Sequence, residues 1–426
     1  MGCGFSHFCG AQGLHDEDLD LAKSPPPRKR TFFRSNSFKS GVLIKSTTLE
    51  VKLHRQEVDE DDFEEITDVS IEEEEYIGDE PFVYVGGGIP GVAVDEFTIE
   101  QAKYTGHSRG GRRAFSQHLA WGSRTRAGND SMGRRKENQD SFIVRDRFAG
   151  IDALTFVCVM DGHGAQGAFV SHYVRDRYPH HVADALLRHM TLMDSSTTLD
   201  PSAITLETIE DVFLDASCRM TIALEEESQL DISVSGTTAI ALLFINPTDS
   251  LPHIVPRVFI ANVGDSRAVA GVLSPENDTY IPHILSSDHK PNVPSEEARI
   301  VATNGRVFEY GVPRVWLQDI DMPGLAMSRS FGDSIATSVG VISDPCVTEL
   351  DLTPGTFVVV ASDGLWEFMP SEQVIDMCAK CISENQDPQT TCDMLVAEAL
   401  ERWLDEEDVV DDITVLYLTT CVPSPE

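Results

Sequence analysis

The sequence predicts an α+β fold, with sheets in antiparallel contact and helices outside them. Two observations carry this. Apolar, β-branched runs fall in groups, among them residues 154–160, 236–245 and 356–362. Segments with helical spacing come instead in successive pairs, residues 167–190 with 204–224 and 371–382 with 388–404. Strict alternation would have pointed to a doubly wound parallel sheet, and it is missing. A chain of 426 residues with 41% hydrophobic content can bury one large core and still carry an extension.

Residues 1–110 read as that extension, poorly ordered and regulatory. Met1-Gly2-Cys3-Gly4-Phe5-Ser6 fits the myristoylation pattern, with Gly2 as acceptor and Cys3 as a palmitoylation site. One acyl chain binds membranes only marginally, so Cys3 and the basic cluster Arg28, Lys29, Arg30, Arg34 and Lys39 would supply the second signal. Arg34 stands three residues before Ser37, a basophilic kinase pattern, and phosphate there would weaken attraction to anionic lipid. Residues 57–80 hold a dense acidic run without Lys or Arg, a solvated segment or interaction tail. Gly86-Gly87-Gly88 lacks the lysine and helix opening of a phosphate loop.

Residues 111–426 are expected to form the folded domain, with order starting near His118-Leu119-Ala120-Trp121. A basic turn at residues 133–140 runs into a strand ending near Val144. Residues 154–160 make a buried strand that stops on Asp161-Gly162-His163. Residues 236–245 read as one buried strand, and 257–273 as a hairpin interrupted at Asn262-Val263-Gly264-Asp265-Ser266. Pro294 to Thr303 forms a short helix, and residues 305–325, with Pro313 and Pro323, an irregular flap. Ile413 to Thr420 closes the chain as a strand behind Asp411 and Asp412.

The formal net charge of −37 argues against a nucleic-acid surface and suits cations or basic partners. Nine cysteines, an odd number without a framework, favour free thiols in a reducing compartment. Cys378 and Cys381 form a lone C-x-x-C on a helical pattern, read as packing rather than zinc ligation. No apolar run approaches the roughly 18 residues that span a bilayer, so membrane contact is expected to be peripheral. The expected location is the cytoplasmic face of a membrane.

Carboxylates recur where strands end: Gln139-Asp140, Asp161-Gly162, Asp363-Gly364 and Asp411-Asp412, with Asp265 a fifth. Gathered in one place they would repel strongly unless protons or cations neutralise them. Oxygen donors with few Cys or His neighbours suit Mg²⁺ or Mn²⁺. Two such ions can activate a water and hold a phosphate oxygen, with Arg135 as phosphate ligand and His163 as the neutral-pH acid.

The motifs carry a resemblance. Arg135-Lys136-Glu137-Asn138-Gln139-Asp140, Asp161-Gly162-His163-Gly164, Ser235-Gly236-Thr237-Thr238-Ala239, Asn262-Val263-Gly264-Asp265-Ser266-Arg267, Asp288-His289-Lys290-Pro291, residues 325–333, Asp363-Gly364-Leu365-Trp366 and Asp411-Asp412-Ile413-Thr414 follow one another as in protein phosphatase 2C. The chain resembles these metal-dependent serine/threonine phosphatases over about residues 118–421, and its 314–325 region looks closest to plant or protist members. The resemblance implies a four-layer α-β-β-α sandwich of two antiparallel sheets flanked by helices, acting as a monomer on phosphoprotein substrates. It implies two Mn²⁺ or Mg²⁺ ions, with Asp161 bridging, the Gly162 carbonyl on one, and Asp363 and Asp411 completing the other. Arg135 would hold the substrate phosphate and His163 protonate the leaving oxygen. Asp265 with Asp363 and Glu367 resembles the weaker third-metal site of some members. Asp333 is expected near the site but not as a ligand.

The chain departs from the family pattern at two positions. Gln139 stands where animal members usually have Glu, which lowers the negative charge beside Asp140. Asp412 replaces the usual Asn, to attract a cation or to face solvent. A membrane-tethered pseudophosphatase acting as a binding module is the alternative reading. An aspartyl nucleophile at Asp319-Ile320-Asp321 is disfavoured, because that tripeptide does not end an apolar strand.

Overall fold

Side-chain alternation and β-branching decide which stretches of this chain become strands, and the strands sort into two facing sheets. The computed structural model describes residues 83–86, 119–193 and 201–420; Gly2, Cys3, Ser37 and the acidic run lie outside them. In chain order the first half holds β1 (Val83–Gly86), β2 (Leu119–Arg126), β3 (Ser141–Asp146), β4 (Leu154–Met160), β5 (Gly162–His163), α1 (Gly167–Met193) and α2 (Leu206–Glu226). Then come β6 (Gly236–Thr237), β7 (Ala239–Ile245), β8 (Arg257–Val263), β9 (Arg267–Leu273), β10 (Tyr280–Ile284) and α3 (Pro294–Ala302). They are followed by β11 (Gly305–Tyr310), β12 (Val312–Leu317), β13 (Pro323–Leu325), β14 (Phe331–Gly332), α4 (Ser334–Thr337) and β15 (Cys346–Asp351). The chain continues through β16 (Phe357–Ala361), α5 (Asp363–Trp366), α6 (Ser371–Ser383), α7 (Pro388–Glu406) and β17 (Ile413–Thr420).

One antiparallel sheet has the order β1-β3-β4-β7-β8-β15, the other β10-β9-β16-β17-β2. Every residue of β4 is buried, which is why it reads as an apolar run broken only by Thr155. Its period of two sends Val157 and Val159 inward, where they meet Val358, Val360, Leu416 and Leu418 of the facing sheet. Phe156, Cys158 and Met160 point the other way, under Val170, Val174 and Tyr178 of α1 and Phe213 and Met220 of α2. On the opposite outer face Phe357, Val359, Val415 and Tyr417 pack beneath Val374, Ile375 and Cys378 of α6 and Cys392 and Leu395 of α7. The result is the predicted order helix, sheet, sheet, helix. Cys378 and Cys381 are both buried, and the Cys381 Sγ lies 3.6 Å from the Met394 Sδ.

The structure corrects several sequence expectations. Residues 257–273 do not form a hairpin: β8 pairs with β7 and β15, whereas β9 pairs with β10 and β16. The interruption at residues 264–266 is a crossover between sheets, turned by Gly264 at φ 111°. The run 236–245 breaks at Thr238, leaving β6 in a small sheet with β5 and β14 while β7 joins the large one. Residues 305–325 are a three-stranded antiparallel sheet rather than an irregular flap. Its prolines are tolerated because β13 pairs β12 only at Val315 and Trp316, past Pro313, and Pro323 opens its own strand. β1 pairs with β3 from inside residues 1–110, the stretch assigned to the extension. β10 and β15, edge strands that alternate partly buried with exposed or polar residues, were not anticipated.

Candidate active site

Antiparallel pairing brings the acids together. Ser141 at the start of β3 pairs with Met160 at the end of β4, so Asp140 and Asp161 lie at the same end of their sheet. Ala361 at the end of β16 pairs with Val415 near the start of β17, which puts Asp363 beside Asp411 and Asp412. Asp265 sits in the crossover, just before the Arg267 that pairs with Ala361. The two sheets face each other, and these ends meet.

Close backbone approach needs glycine at two of these corners. A Cβ on Gly162 would strike the carbonyls of Gly167 and Gln139, and one on Gly364 the carbonyl of Asp412. The main chain of Asp161 is pinned by the Ser235–Ala239 motif. Its N–H donates to Thr238 Oγ1 at 3.0 Å, and its carbonyl accepts from Thr238 N and Thr237 Oγ1, both at 2.9 Å.

Burial, then repulsion from Asp140, Asp363, Asp411 and Asp265, pushes the Asp161 carboxyl well above the carboxylate range. Burial followed by Asp265 and Asp411 takes Asp363 to about 7. Asp140 is fully buried and raised by burial and by Asp412; its Oδ2 accepts from Ser362 Oγ at 2.7 Å, while its Oδ1 has no hydrogen-bond partner among the described residues. Asp265 pairs with Lys290 Nζ at 2.6 Å through Oδ2, and its buried Oδ1 is likewise without a hydrogen-bond partner among the described residues. Asp411 holds Lys136 Nζ at 2.9 Å.

Asp412 does not face solvent. Its Oδ1 accepts from Gly128 N at 2.6 Å and its Oδ2 from Gln139 N at 2.8 Å, with burial raising its carboxyl to about 6. The extra acid therefore holds the loop that carries Gln139, whose Nε2 donates to the Gly164 carbonyl at 2.8 Å. Arg135 is exposed on that loop and pairs with Asn129 through a backbone bridge. Glu367 follows Asp363 by one turn and stays exposed. His163 Nε2 lies 2.7 Å from Asp333 Oδ2; burial alone would depress the imidazole, but Asp333 more than offsets it and raises it. Lys136 and Lys290 lie inside the recurring motifs and Ser362 beside one, yet no local signal ties them to the acids.

Among the described residues no three His, Cys, Asp or Glu side chains close on one point as a ready-made ligand set. What fits a hard divalent cation is the donor chemistry: several buried carboxylates, mutually repelling, two with an oxygen unbonded. Two ammonium groups offset only part of that charge.

Comparison with known proteins gives a consistent result. The family model described as Protein phosphatase 2C matches residues 125–406. A probable protein phosphatase 2C 35 of Arabidopsis thaliana is 33% identical over 306 residues, covering 66% of this chain and 78% of that protein. A probable protein phosphatase 2C 64 of Oryza sativa subsp. japonica is 35% identical over 303 residues, covering 70% and 65%. Among solved structures, the serine-threonine phosphatase 2C from Toxoplasma gondii superposes with a TM-score of 0.59 at 22% identity, over 71% of this chain and 95% of that one. That likeness speaks for the fold.

Proposed function

The chain belongs to the protein phosphatase 2C family, and on that footing we propose that it is a metal-dependent protein serine/threonine phosphatase. The observation that carries the proposal is the convergence of Asp140, Asp161, Asp265, Asp363 and Asp411 at one end of the sandwich, with His163 beside them. Asp161, the Gly162 carbonyl, Asp363 and Asp411 would hold two Mn²⁺ or Mg²⁺ ions, with Gln139, Asp140 and Asp412 around them. Asp265, Asp363 and Glu367 would take a weaker third. When bound, such ions supply Lewis-acid charge that acidifies a water and offsets phosphate charge.

The chain's own residues do the rest. Arg135, exposed on the loop before β3, offers a two-pronged guanidinium to the substrate phosphate. His163 hands a proton to the departing serine or threonine oxygen. Water attacks phosphorus directly and in line, so no phosphoenzyme forms. Thr237 and Thr238 hold the Asp161 main chain and so fix where its side chain leaves the strand.

The test is Mn²⁺-dependent phosphate release from a phosphoserine peptide and from an aryl phosphate by the full chain. His163→Gln should slow the alkyl ester most, because an aryl oxide departs without a proton. Equal losses on both would remove His163 from the acid role. We further propose that Gly2 and Cys3 are acylated and hold the enzyme at a cytoplasmic membrane face. The support is the sequence pattern alone, and Gly2→Ala should abolish myristate incorporation.

A further inference from the structure

One buried carboxylate beside the site has no part in the chemistry above. Asp333 is 1% exposed, and its Oδ2 lies 2.7 Å from His163 Nε2 while accepting from Ser330 Oγ at 2.6 Å. Ring and carboxylate hang from the same small sheet: His163 is in β5, β5 pairs β6, and β6 pairs β14, which ends one residue before Asp333. Asp333 N donates to Ser235 O at 3.0 Å, and a Cβ on Gly236 would run into the Asp333 carboxylate. Its backbone sits at φ 49°, a left-handed geometry that Asp, Asn and Gly tolerate. An ionised carboxylate only accepts hydrogen bonds, so the ring nitrogen facing it must carry hydrogen. The other nitrogen, Nδ1, is buried and has no hydrogen-bond partner among the described residues.

We propose that Asp333 is a positioning residue: it fixes the His163 ring and holds a hydrogen on Nε2, leaving Nδ1 as the nitrogen that serves the leaving group. This rests on the general-acid reading of His163. As the ester P–O bond breaks, its electron pair stays on the departing oxygen. The Nδ1–H bond breaks and that proton joins the oxygen, leaving a neutral imidazole still bonded through Nε2 to Asp333. Asp333 itself touches neither substrate nor phosphate.

The experiment compares the full chain with Mn²⁺ as wild type, His163→Gln, Asp333→Gly and Asp333→Asn, on a phosphoserine peptide and on p-nitrophenyl phosphate. Gly keeps the backbone geometry without the acceptor, and Asn keeps an acceptor oxygen. Asp333→Gly should lower kcat on the peptide by at least about tenfold, within the range general acids supply, with KM unchanged and the aryl ester nearly unaffected. Asp333→Asn should recover most of the loss; failure to recover counts against the proposal. Equal loss on both esters in Asp333→Gly, with His163→Gln still selective, overturns the positioning role. If His163→Gln is itself unselective, the acid reading fails instead. Ring ¹⁵N spectra of the metal-free wild type then decide the tautomer: the neutral ring should carry its hydrogen on Nε2, and hydrogen on Nδ1 overturns the proposal.

Discussion

Glu296 on α3 is nearly sealed from water, its side chain 3% exposed, and four short hydrogen bonds converge on it. Arg299 Nη2 and Ser328 Oγ reach Oε2 at 2.6 and 2.7 Å, Arg329 Nε reaches it at 3.0 Å, and Arg329 Nη2 reaches Oε1 at 2.7 Å. The contact ties α3 to the segment that leads into Asp333. Glu296→Gln keeps the shape but leaves two guanidiniums side by side without a counter-charge. Breaking a buried pair costs about 3–5 kcal/mol. The arginine side chains are 24% and 14% exposed, so solvent screens part of this and about 2–3 kcal/mol is expected. Burial alone would raise the Glu296 carboxyl, but the bonds from Arg329, Arg299 and Ser328 hold it well below its ordinary value of 4.5. A depressed carboxyl stabilises the fold above that ordinary value, and the contribution is lost as pH falls through the folded one. Urea unfolding of wild type and variant at pH 7 should show the full gap with equal m-values, and the gap should shrink below pH 4.5. A gap under about 0.5 kcal/mol at pH 7, or one that widens on acidification, would refute the reasoning.

Three further outcomes follow from the same packing and charges. In chelator, Asp161→Asn removes a buried carboxyl whose ionisation is opposed by burial and by four neighbouring acids, so its melting temperature should rise by about 2–6 °C, while Mn²⁺ should stabilise only the wild type; a lower melting temperature in chelator contradicts that opposition. Gly364→Ala drives a Cβ into the Asp412 carbonyl and should cost about 1–3 kcal/mol and weaken Mn²⁺ binding by calorimetry; unchanged affinity would show that the close approach is not needed. Leu416→Ala, fully buried between the sheets, should cost about 2–5 kcal/mol with Mn²⁺ stoichiometry unchanged; loss of Mn²⁺ binding there would mean that the core and the site are not separable.

What could be read from the sequence was what a local pattern encodes. β4 was legible to the residue because both its faces are buried, and α6 and α7 because each presents one apolar stripe. Asp161, Asp363 and Asp411 stood out because each adjoins such a run. Partner choice between strands was not local. Residues 264–266 look like a hairpin turn, and only the pairing of β8 and β9 with different sheets shows a crossover. Asp333 is placed near the site by its motif, but its pairing with His163, 170 residues away, is not, because nothing in Phe331-Gly332-Asp333 encodes that contact. Asp412 read as a ligand or a surface acid, whereas its two oxygens are taken by the backbone of Gly128 and Gln139. Prolines in residues 305–325 read as breakers because edge positions cannot be recognised before the sheet is known.

The central claim is that carboxylates gathered by two facing sheets form a divalent-metal centre that hydrolyses phosphoserine. The most direct measurement is phosphate release from a phosphoserine peptide by the full chain and its Asp161→Asn variant, across a Mn²⁺ titration that starts in chelator. The account predicts no release in chelator, saturable turnover with Mn²⁺ for the wild type, and none for the variant at any Mn²⁺ concentration that saturates it. Turnover in chelator, or normal turnover by Asp161→Asn, would contradict it.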